Sequence, residues 1–546
     1  MAADPVLSAL AAACPAARPA RPEDAVAGVM PRFAAAPATV AEASELLRAA
    51  AAHDLAVVPR GGGSKLGWGT PPRRCDLVVD TTALDQILEH AAGDLVVRVQ
   101  AGVSLARLAE VLAGAGQQLA LDLPPCPAPL SPAAGPGPGA AVAGTLATVG
   151  GTLATGATPS PAPPLAGGAA TPAWRDATVG GTLATGATPS PAPPLADGAA
   201  TPAWRGATVG GTLATGAAGP RRLRYGTPRD LLIGITVIRA DGTIASSGGK
   251  VVKNVAGYDL GKLFTGSFGT LGLIVEAVFR LHPRPAAAAY VTVDCAGPEE
   301  AYRAVAAAAG SELAPSAVEL DRPARDQLVR VAVLVEGDPE GTAERAGLLC
   351  ALLGSGASAQ PSPPAWWGWP ASGNEQPGPG PEPGPGPESG ADGGPGAPRP
   401  DGAGGAGQAG TLIRIGFWAA GLPRVLRVID DAARAAGLDP AVGGSAAAGV
   451  IYAAAGPGAD PAAVAAFVSG LRAALARGDG DARPASAPLP DGPPVLASAV
   501  VVDAPAGARE LMDVWGPVPS LPLMRAVKDQ FDPSHRMAPG RFAGGI

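Results

Sequence analysis

Histidine is scarce, cysteine is scattered and basic residues do not outnumber acidic ones in this 546-residue chain. Of the four histidines, His53, His90, His282 and His535, only the last lies beyond residue 285, which excludes a histidine-rich metal or base cluster in the C-terminal half. The five cysteines, Cys14, Cys75, Cys126, Cys295 and Cys350, form no CxxC pair and no Cys/His group with zinc-ligand spacing. An iron–sulfur cluster held by this chain is therefore excluded, no metal is expected, and the unpatterned thiols suit a reducing, cytoplasmic setting. Lys and Arg total 40 against 47 Asp and Glu, a net charge of -7, which argues against a general nucleic-acid binder. No strongly apolar, uncharged run of membrane-spanning length occurs outside Ala/Gly/Pro tracts, so no transmembrane helix is expected. The stretch Leu7–Cys14 has a faint lipoprotein-signal look, but no Lys or Arg precedes it and Asp4 is acidic; a disordered or helical Ala-rich start is the competing reading, and residues 1–34 are expected to be without structure.

Glycine and proline are abundant, 77 and 62 residues, while hydrophobic residues still make up 47%. Folded domains interrupted by low-complexity inserts satisfy both figures. ATVGGTLATGA occurs at 147–157, 177–187 and 207–217, with near-identical Pro-rich spacers. Each unit has too little apolar surface to stack as a solenoid, so the pattern reads as tandem duplication inside a loop insert, residues 126–206. Only the third copy runs into a new sequence, GPRRLRYGTPRDLL, and it is expected to be the working one. In residues 371–410, 23 of 40 are Gly or Pro, which marks 356–410 as a second, disordered linker insert.

The remainder alternates strand and helix patterns, an α+β composition. Thr39 and Glu42 form a capping box ahead of Val40, Ala43, Leu47 and Ala50. Strands are expected at 55–58 (ending at Pro59), 77–80, 95–99 and 271–281, a helix after Ser104, and a hairpin over 231–246 that turns at Asp241–Gly242. His90 falls in a stretch that reads as loop. After Pro285 come strand, helix, strand, strand, helix over 289–353, and the pattern resumes from 412 with helices at 423–436 and 461–476. A first domain over 35–285 and a second over 286–355 and 411–546 follow from this.

Three Gly-rich segments carry chemistry. In VVPRGGGSKLGWG (57–69), Gly61–Gly63 follow a strand, where successive backbone N–H groups can form an anion nest; a plain turn is the competing reading. In ATVGGTLATGAAGPRRLRY (207–225), small residues precede Arg221, Arg222 and Arg224, which read either as an anion or docking site or as a solvated face. In GGKVVKNVAGYDLGKLFTGSFGTLGLIVEAVFR (248–280), a polar patch precedes a short helix, a Gly-Ser turn and an apolar strand. None of these is a GxGxxG dinucleotide fingerprint or a P-loop: Gly266, Gly269 and Gly272 give GxxGxxG, and Ile244 stands where a P-loop before Gly249–Lys250 would need glycine.

The order PRGGGS, ATVGG, KNVAGYDLGKLFTGSFGTLG resembles the FAD-binding PCMH-type (vanillyl-alcohol-oxidase-like) flavoproteins. Within that family GPRRLRYGTPRDLLIG and the terminal FDPSHRMAPGRFAGGI are most similar to the FAD-binding E subunit of glycolate oxidase. The resemblance implies a two-subdomain PCMH-type FAD-binding fold with a C-terminal α+β, ferredoxin-like cap. It implies that Pro59, Arg60, Gly61, Gly62, Gly63 and Ser64 carry the pyrophosphate, with Gly210, Gly211, Thr212 and Gly216 in a second loop. Flavin or adenosine contacts would come from Lys253, Asn254, Gly257, Tyr258 and Asp259, then from Gly266, Ser267, Gly269, Thr270, Gly272 and Ile274.

The implied activity is oxidation of glycolate or a related 2-hydroxy acid to the 2-oxo acid. It would run in a complex with a second flavoprotein subunit and an iron–sulfur subunit, in the cytoplasm or held at the inner membrane through those partners. Alternatives are a non-catalytic flavin-binding relay subunit and a stand-alone FAD-dependent dehydrogenase of a sugar acid. Ser64 ends the first loop and residues 207–225 hold neither His nor Cys, so FAD is expected to be non-covalent. The family's terminal Asn-Pro-Gly is here Ala538-Pro539-Gly540. No catalytic base is assigned; Arg541 reads as a surface ion pair or as a contact to substrate or flavin.

Overall fold

Apolar alternation and β-branched runs build three larger sheets, beside a two-stranded one (Gln117–Gln118 with His282–Pro283), in the computed structural model, which describes residues 4–122, 206–250, 259–368, 410–477 and 497–546. All of these fall in one compact unit, Met1–Leu130 with Pro194–Ile546; the other unit, Ser131–Pro193, lies outside the described residues, as do the first two repeat copies and most of the Gly/Pro linker.

The first sheet orders its strands Arg18–Pro19, Phe33–Ala35, Leu77–Asp80, Val57–Arg60, the last three parallel. The strand expected to stop at Pro59 continues to Arg60, with Pro59 opposite Val79. Proline is tolerated there because this is the last named strand of its sheet. Helix Val40–Ala52 packs on it; Thr39 Oγ1 accepts from the Glu42 N–H, but the Glu42 carboxylate accepts from Ala38, one residue before the expected capping-box partner. The N-terminal stretch, expected to lack structure, is ordered from residue 4: Asp4 caps helix Pro5–Ala13, and Leu10 and Cys14 are buried in the core beneath this sheet.

The second sheet is antiparallel, in the order Ile87–Ala91, Val96–Gln100, Leu273–Arg280, Leu232–Ile238, Ile244–Gly248. The expected hairpin is present, with Gly242 at φ 81° in its turn. His90 sits in a strand, not a loop; the strand ILEHA lies at the sheet edge and buries no residue fully, so it shows no apolar alternation. In helix Leu105–Gly114, capped by Ser104, Leu105, Leu108 and Leu112 are buried while Val111 is 42% exposed.

The third sheet has eight strands. Ala287–Cys295, Pro298–Ala309, Ala317–Arg322, Val329–Gly337, Pro339–Leu353 and Ser358–Gln360 make one strand-helix-strand-strand-helix-strand unit. Thr411–Gly416, Leu422–Ala436, Ala441–Ser445, Val450–Ala455, Pro461–Ala476 and Ser498–Asp503 make a second. Each is a ferredoxin-like βαββαβ motif, and the two join where Ala317–Arg322 pairs with Ala441–Ser445. The sequence led us to expect one ferredoxin-like cap; the structure has two fused edge to edge. It also places residues 356–368 within the fold, against the expectation of a linker starting at 356: Ser358–Gln360 closes the sheet and Trp367 packs edge-on against Tyr290, ring centroids 4.9 Å apart.

The C-terminal residues, assigned by sequence to the cap, return to the first two sheets. Helix Leu521–Phe531 sets Phe531 edge-on against Phe264, and the Val57 N–H donates to Arg536 O while the Ala538 N–H donates to Val57 O, 2.8 and 2.7 Å. Lys528 is fully buried; its ammonium donates to Asp532 (2.6 Å), Thr270 O (2.7 Å) and Met537 O (2.9 Å).

Glu319, on the cap strand Ala317–Arg322, faces Ser445 at the junction of the two units and is 2% exposed, with Oε1 unpartnered among the described residues. Burial pushes its carboxyl up to about 8, against the pull of the Ser445 hydrogen bond and the Arg222 charge, while Asp122 raises it further. The unfolded chain loses this proton near 4.5 and the folded chain keeps it to about 8, so stability falls as pH rises through that window. At roughly 1.4 kcal/mol per pKa unit the loss amounts to several kcal/mol. Glu319→Gln is expected to remove the slope, so that its melting temperature rises relative to the parent between pH 5 and pH 8. Parallel curves across that range would show that Glu319 ionises normally.

Candidate cofactor-binding site

Where the strand Val57–Arg60 ends, the chain turns through three glycines against the start of helix Val209–Thr215. A Cβ on Gly61 would overlap the Thr208 hydroxyl, and one on Gly62 would overlap the Gly206 carbonyl oxygen. The two loops thus meet backbone to backbone, which only glycine permits. Thr208 caps the helix by accepting from the Gly211 N–H at 3.3 Å. Gly210 lies flat on Ala101, whose Cβ would be 2.8 Å from an added Cβ, and its N–H donates to Ala101 O. Gly216 closes the helix at φ 62°.

These loops wall a pocket lined by Pro59 through Leu66, Thr208, Gly211, Ala214, Thr215, Phe268, Gly269 and Arg541. The N–H groups of Gly61, Gly62 and Gly63 donate to no group among the described residues. Arg541 is 4% exposed, not a surface residue. One terminal nitrogen donates to Leu66 O (3.1 Å) and Trp68 O (2.9 Å), and the other has no partner among the described residues. Burial and the neighbouring Arg509 push its guanidinium down to about 10, still charged at neutral pH. Arg509 is itself paired with Asp503 at 2.5 Å and donates to the Gly67 and Gly69 carbonyls, so two arginines from the far end of the chain clasp residues 66–69.

Of the residues singled out by sequence, Pro59 through Ser64, Gly211 and Gly269 line the pocket. The Arg60 side chain turns away to Asp80 (2.9 Å) and Asp24 (3.2 Å). Thr212 lies buried beneath the helix with its hydroxyl unpartnered among the described residues. The Ser267 and Thr270 hydroxyls bond the Phe264 and Ser267 carbonyls and fix the turn that presents Gly269. Gly266 and Gly272 shape this turn from outside the lining, and Ile274 is a core residue of the second sheet. Asp259 pairs with Lys262 at 3.2 Å, while Lys253, Asn254, Gly257 and Tyr258 lie outside the described residues. Sequence reading missed Lys65, Leu66 and Thr208 as lining; Ala214, Thr215 and Phe268 lie within the second and third loops it assigned to the cofactor without being singled out. Of its two readings of Arg541, the surface ion pair is ruled out by burial, and nothing local could have signalled a contact made across some 470 residues.

In the arginine group after the third repeat copy, Arg224 is exposed, whereas Arg221 is spent on internal partners. Arg221 is held by Asp122 (2.7 Å), by Gln118 (2.6 Å) and by Glu336 of the cap (3.6 Å), so it ties the cap to the first half of the chain. Tyr225 donates to Glu336 at 3.3 Å and packs edge-on against His282. His90 bonds Gln117, His535 pairs with Asp529 and His53 ends helix Val40–Ala52, so none of the four histidines lines the pocket. Among the described residues no group of His, Cys, Asp and Glu is arranged to hold a metal ion, and no helix is long and apolar enough to cross a membrane.

Residues 31–131 and 197–248 match the FAD binding domain family; the match resumes just before the third repeat copy. The chain is 48% identical over 70 residues to glycolate oxidase subunit GlcE of Escherichia coli (strain K12), covering 13% of this chain and 20% of the relative. It is 41% identical over 111 residues to glycolate oxidase subunit GlcD of Bacillus subtilis (strain 168), 19% of this chain and 23% of that one. An uncharacterised FAD-linked oxidoreductase of Mycobacterium tuberculosis matches at 26% over 311 residues, 57% of this chain and 50% of its own. The chain thus spans half or less of the length of these relatives. Among solved structures, a chitooligosaccharide oxidase is similar in fold, with TM-score 0.54 and 14% identity over 98% of both chains. An alkyldihydroxyacetonephosphate synthase has TM-score 0.52 and 13% identity over 93% of this chain and 76% of its own. With the glycine-walled pocket, these matches make the chain a flavoprotein with a PCMH-type FAD-binding domain and FAD as its cofactor.

Proposed function

We propose that this chain is the FAD-binding subunit of an oxidoreductase complex that converts a small 2-hydroxy acid, glycolate or a near relative, to its 2-oxo acid. The observation that carries the reading is the pocket: three backbone N–H groups and one nitrogen of a buried arginine that have no partner among the described residues, and glycines that a Cβ would block. These residues fit a dinucleotide's phosphates. Relatives named for glycolate, D-lactate and D-2-hydroxyglutarate support the substrate class. Bound FAD supplies a two-electron acceptor for hydride leaving the α-carbon. Gly61–Gly63 and Gly211 would hold the phosphates, with Gly269 and Phe268 as the facing wall, and Ser64, with no thiol or imidazole in its place, would leave the cofactor non-covalent. A second flavoprotein subunit and an iron–sulfur subunit would take the electrons onward in the cytoplasm, since the few, dispersed thiols here suit no relay.

The placement of all four histidines away from the pocket favours a second reading for the chemical step, a flavin relay without its own substrate site. The deciding measurement is glycolate-dependent dye reduction by the purified yellow chain, alone and reconstituted with partner subunits. Turnover only in the assembled complex is expected. Full turnover by the chain alone would make it a stand-alone dehydrogenase, and no turnover with any 2-hydroxy acid in either form would overturn the substrate class. Flavin that stays with the polypeptide after acid precipitation would refute non-covalent binding.

A further inference from the structure

The geometry points to Arg541 as the cationic contact for the cofactor's phosphate groups, and to the C-terminal segment 536–546 as the wall that completes their site. The inference rests on the FAD reading of the pocket, not on the substrate class. Arg541 is 4% exposed and has no carboxylate partner among the described residues; the nearby acid, Asp503, is taken by Arg509. A buried charge left uncompensated is strongly unfavourable, so a guanidinium kept here calls for an anion. One of its nitrogens is fixed by Leu66 O and Trp68 O, which orients the side chain, and the other donates to nothing among the described residues. The same pocket is lined by Gly61–Gly63, whose three N–H groups are also unpaired among the described residues. Two independent donor sets from opposite ends of the chain therefore converge on one cavity, and a pyrophosphate answers both.

The segment that carries Arg541 is anchored on both sides. Arg536 O and the Ala538 N–H bond Val57 at the root of the glycine loop, and Phe542 packs against Phe268 and Trp515, ring centroids 5.7 and 4.7 Å away. Ala538 stands at φ 42°, a left-handed conformation that asparagine adopts more readily than alanine, which gives a backbone reason for the family's usual Asn there. The tail is thus a wall of the cofactor site that Arg541 reaches through.

The test uses the full-length chain stripped of flavin. In the parent, ADP and inorganic pyrophosphate should each raise the melting temperature and compete with FAD. Arg541→Met should weaken FAD binding, read by flavin fluorescence, roughly 10- to 100-fold, and should abolish the ADP shift. Arg541→Lys should recover part of both. Failure of ADP and pyrophosphate to protect the parent overturns the inference, and this arm does not depend on any variant folding. So does Arg541→Met with parental FAD affinity, or with weakened FAD binding but an intact ADP shift, which would move the contact to the ring. Absent dye reduction both by the chain alone and by the assembled complex, with normal FAD and ADP binding, would sink the substrate class and leave this inference standing.

Discussion

Lys528→Met is expected to destabilise the chain by about 3–5 kcal/mol, because it strands the Asp532 carboxylate in the core. Both residues are fully buried, and Asp532 Oδ2 accepts from Lys528 and from the Met537 N–H, while Oδ1 has no partner among the described residues. Burial pushes the Lys528 ammonium down in pKa and Asp532 pushes it back, so the pair survives only as a pair. The same ammonium bonds the Thr270 and Met537 carbonyls and therefore ties the turn that presents Gly269 to the C-terminal segment that leads to Arg541. Loss of flavin on dilution should accompany the loss of stability. The double variant Lys528→Met, Asp532→Asn should recover much of it, since removing both members of a buried pair costs far less than removing one. Urea unfolding of the three proteins checks this; a single variant within about 1 kcal/mol of the parent would mean water reaches the site and compensates the charge.

Gly62→Ala should cost the pocket its cofactor. The added methyl would overlap the Gly206 carbonyl, a backbone atom that cannot swing aside as a side chain would, so the first loop or the start of helix Val209–Thr215 must shift. Overpacking of this kind costs about 1–3 kcal/mol, and placed at the phosphate loop it translates into roughly 5- to 150-fold weaker FAD binding. Gly93→Ala is the control: nothing lies within 4 Å of its added Cβ, and FAD affinity should not change. Titration of flavin-stripped protein with FAD decides the matter. Equal affinities for Gly62→Ala and the parent would place the cofactor away from this junction.

The site was half legible in the chain. PRGGGS announced itself because glycines after a strand end have few uses besides a tight turn or a close approach, and both apply at 61–63. The third repeat copy could be chosen over its twins because only it continues into GPRRLRY. Arg221, read as an anion or docking site or as a solvated face, is an internal tie instead, which was illegible because its partners, Asp122 and Glu336, are 99 and 115 residues away. Ser267 and Thr270 were read as cofactor contacts, yet their hydroxyls close their own turn, a use that local sequence does not separate from ligand binding.

Local chemistry alone determined the helices at 105–114 and 461–476, the hairpin turning at Asp241–Gly242, the α+β class and the Gly-rich loops, because caps, periodicity and turn residues act over a few positions. Tertiary structure alone decided that the cap is two ferredoxin-like units sharing one sheet, since strand order is set by which edges meet and sequence carries no label for that. It also decided that residues 4–35 are ordered, where short strands and an Ala-rich helix gain their stability from the sheet they cover. And it decided that Arg541 is buried at the cofactor pocket: a single arginine looks the same in sequence whether water or a folded core surrounds it, and only the fold removes the water.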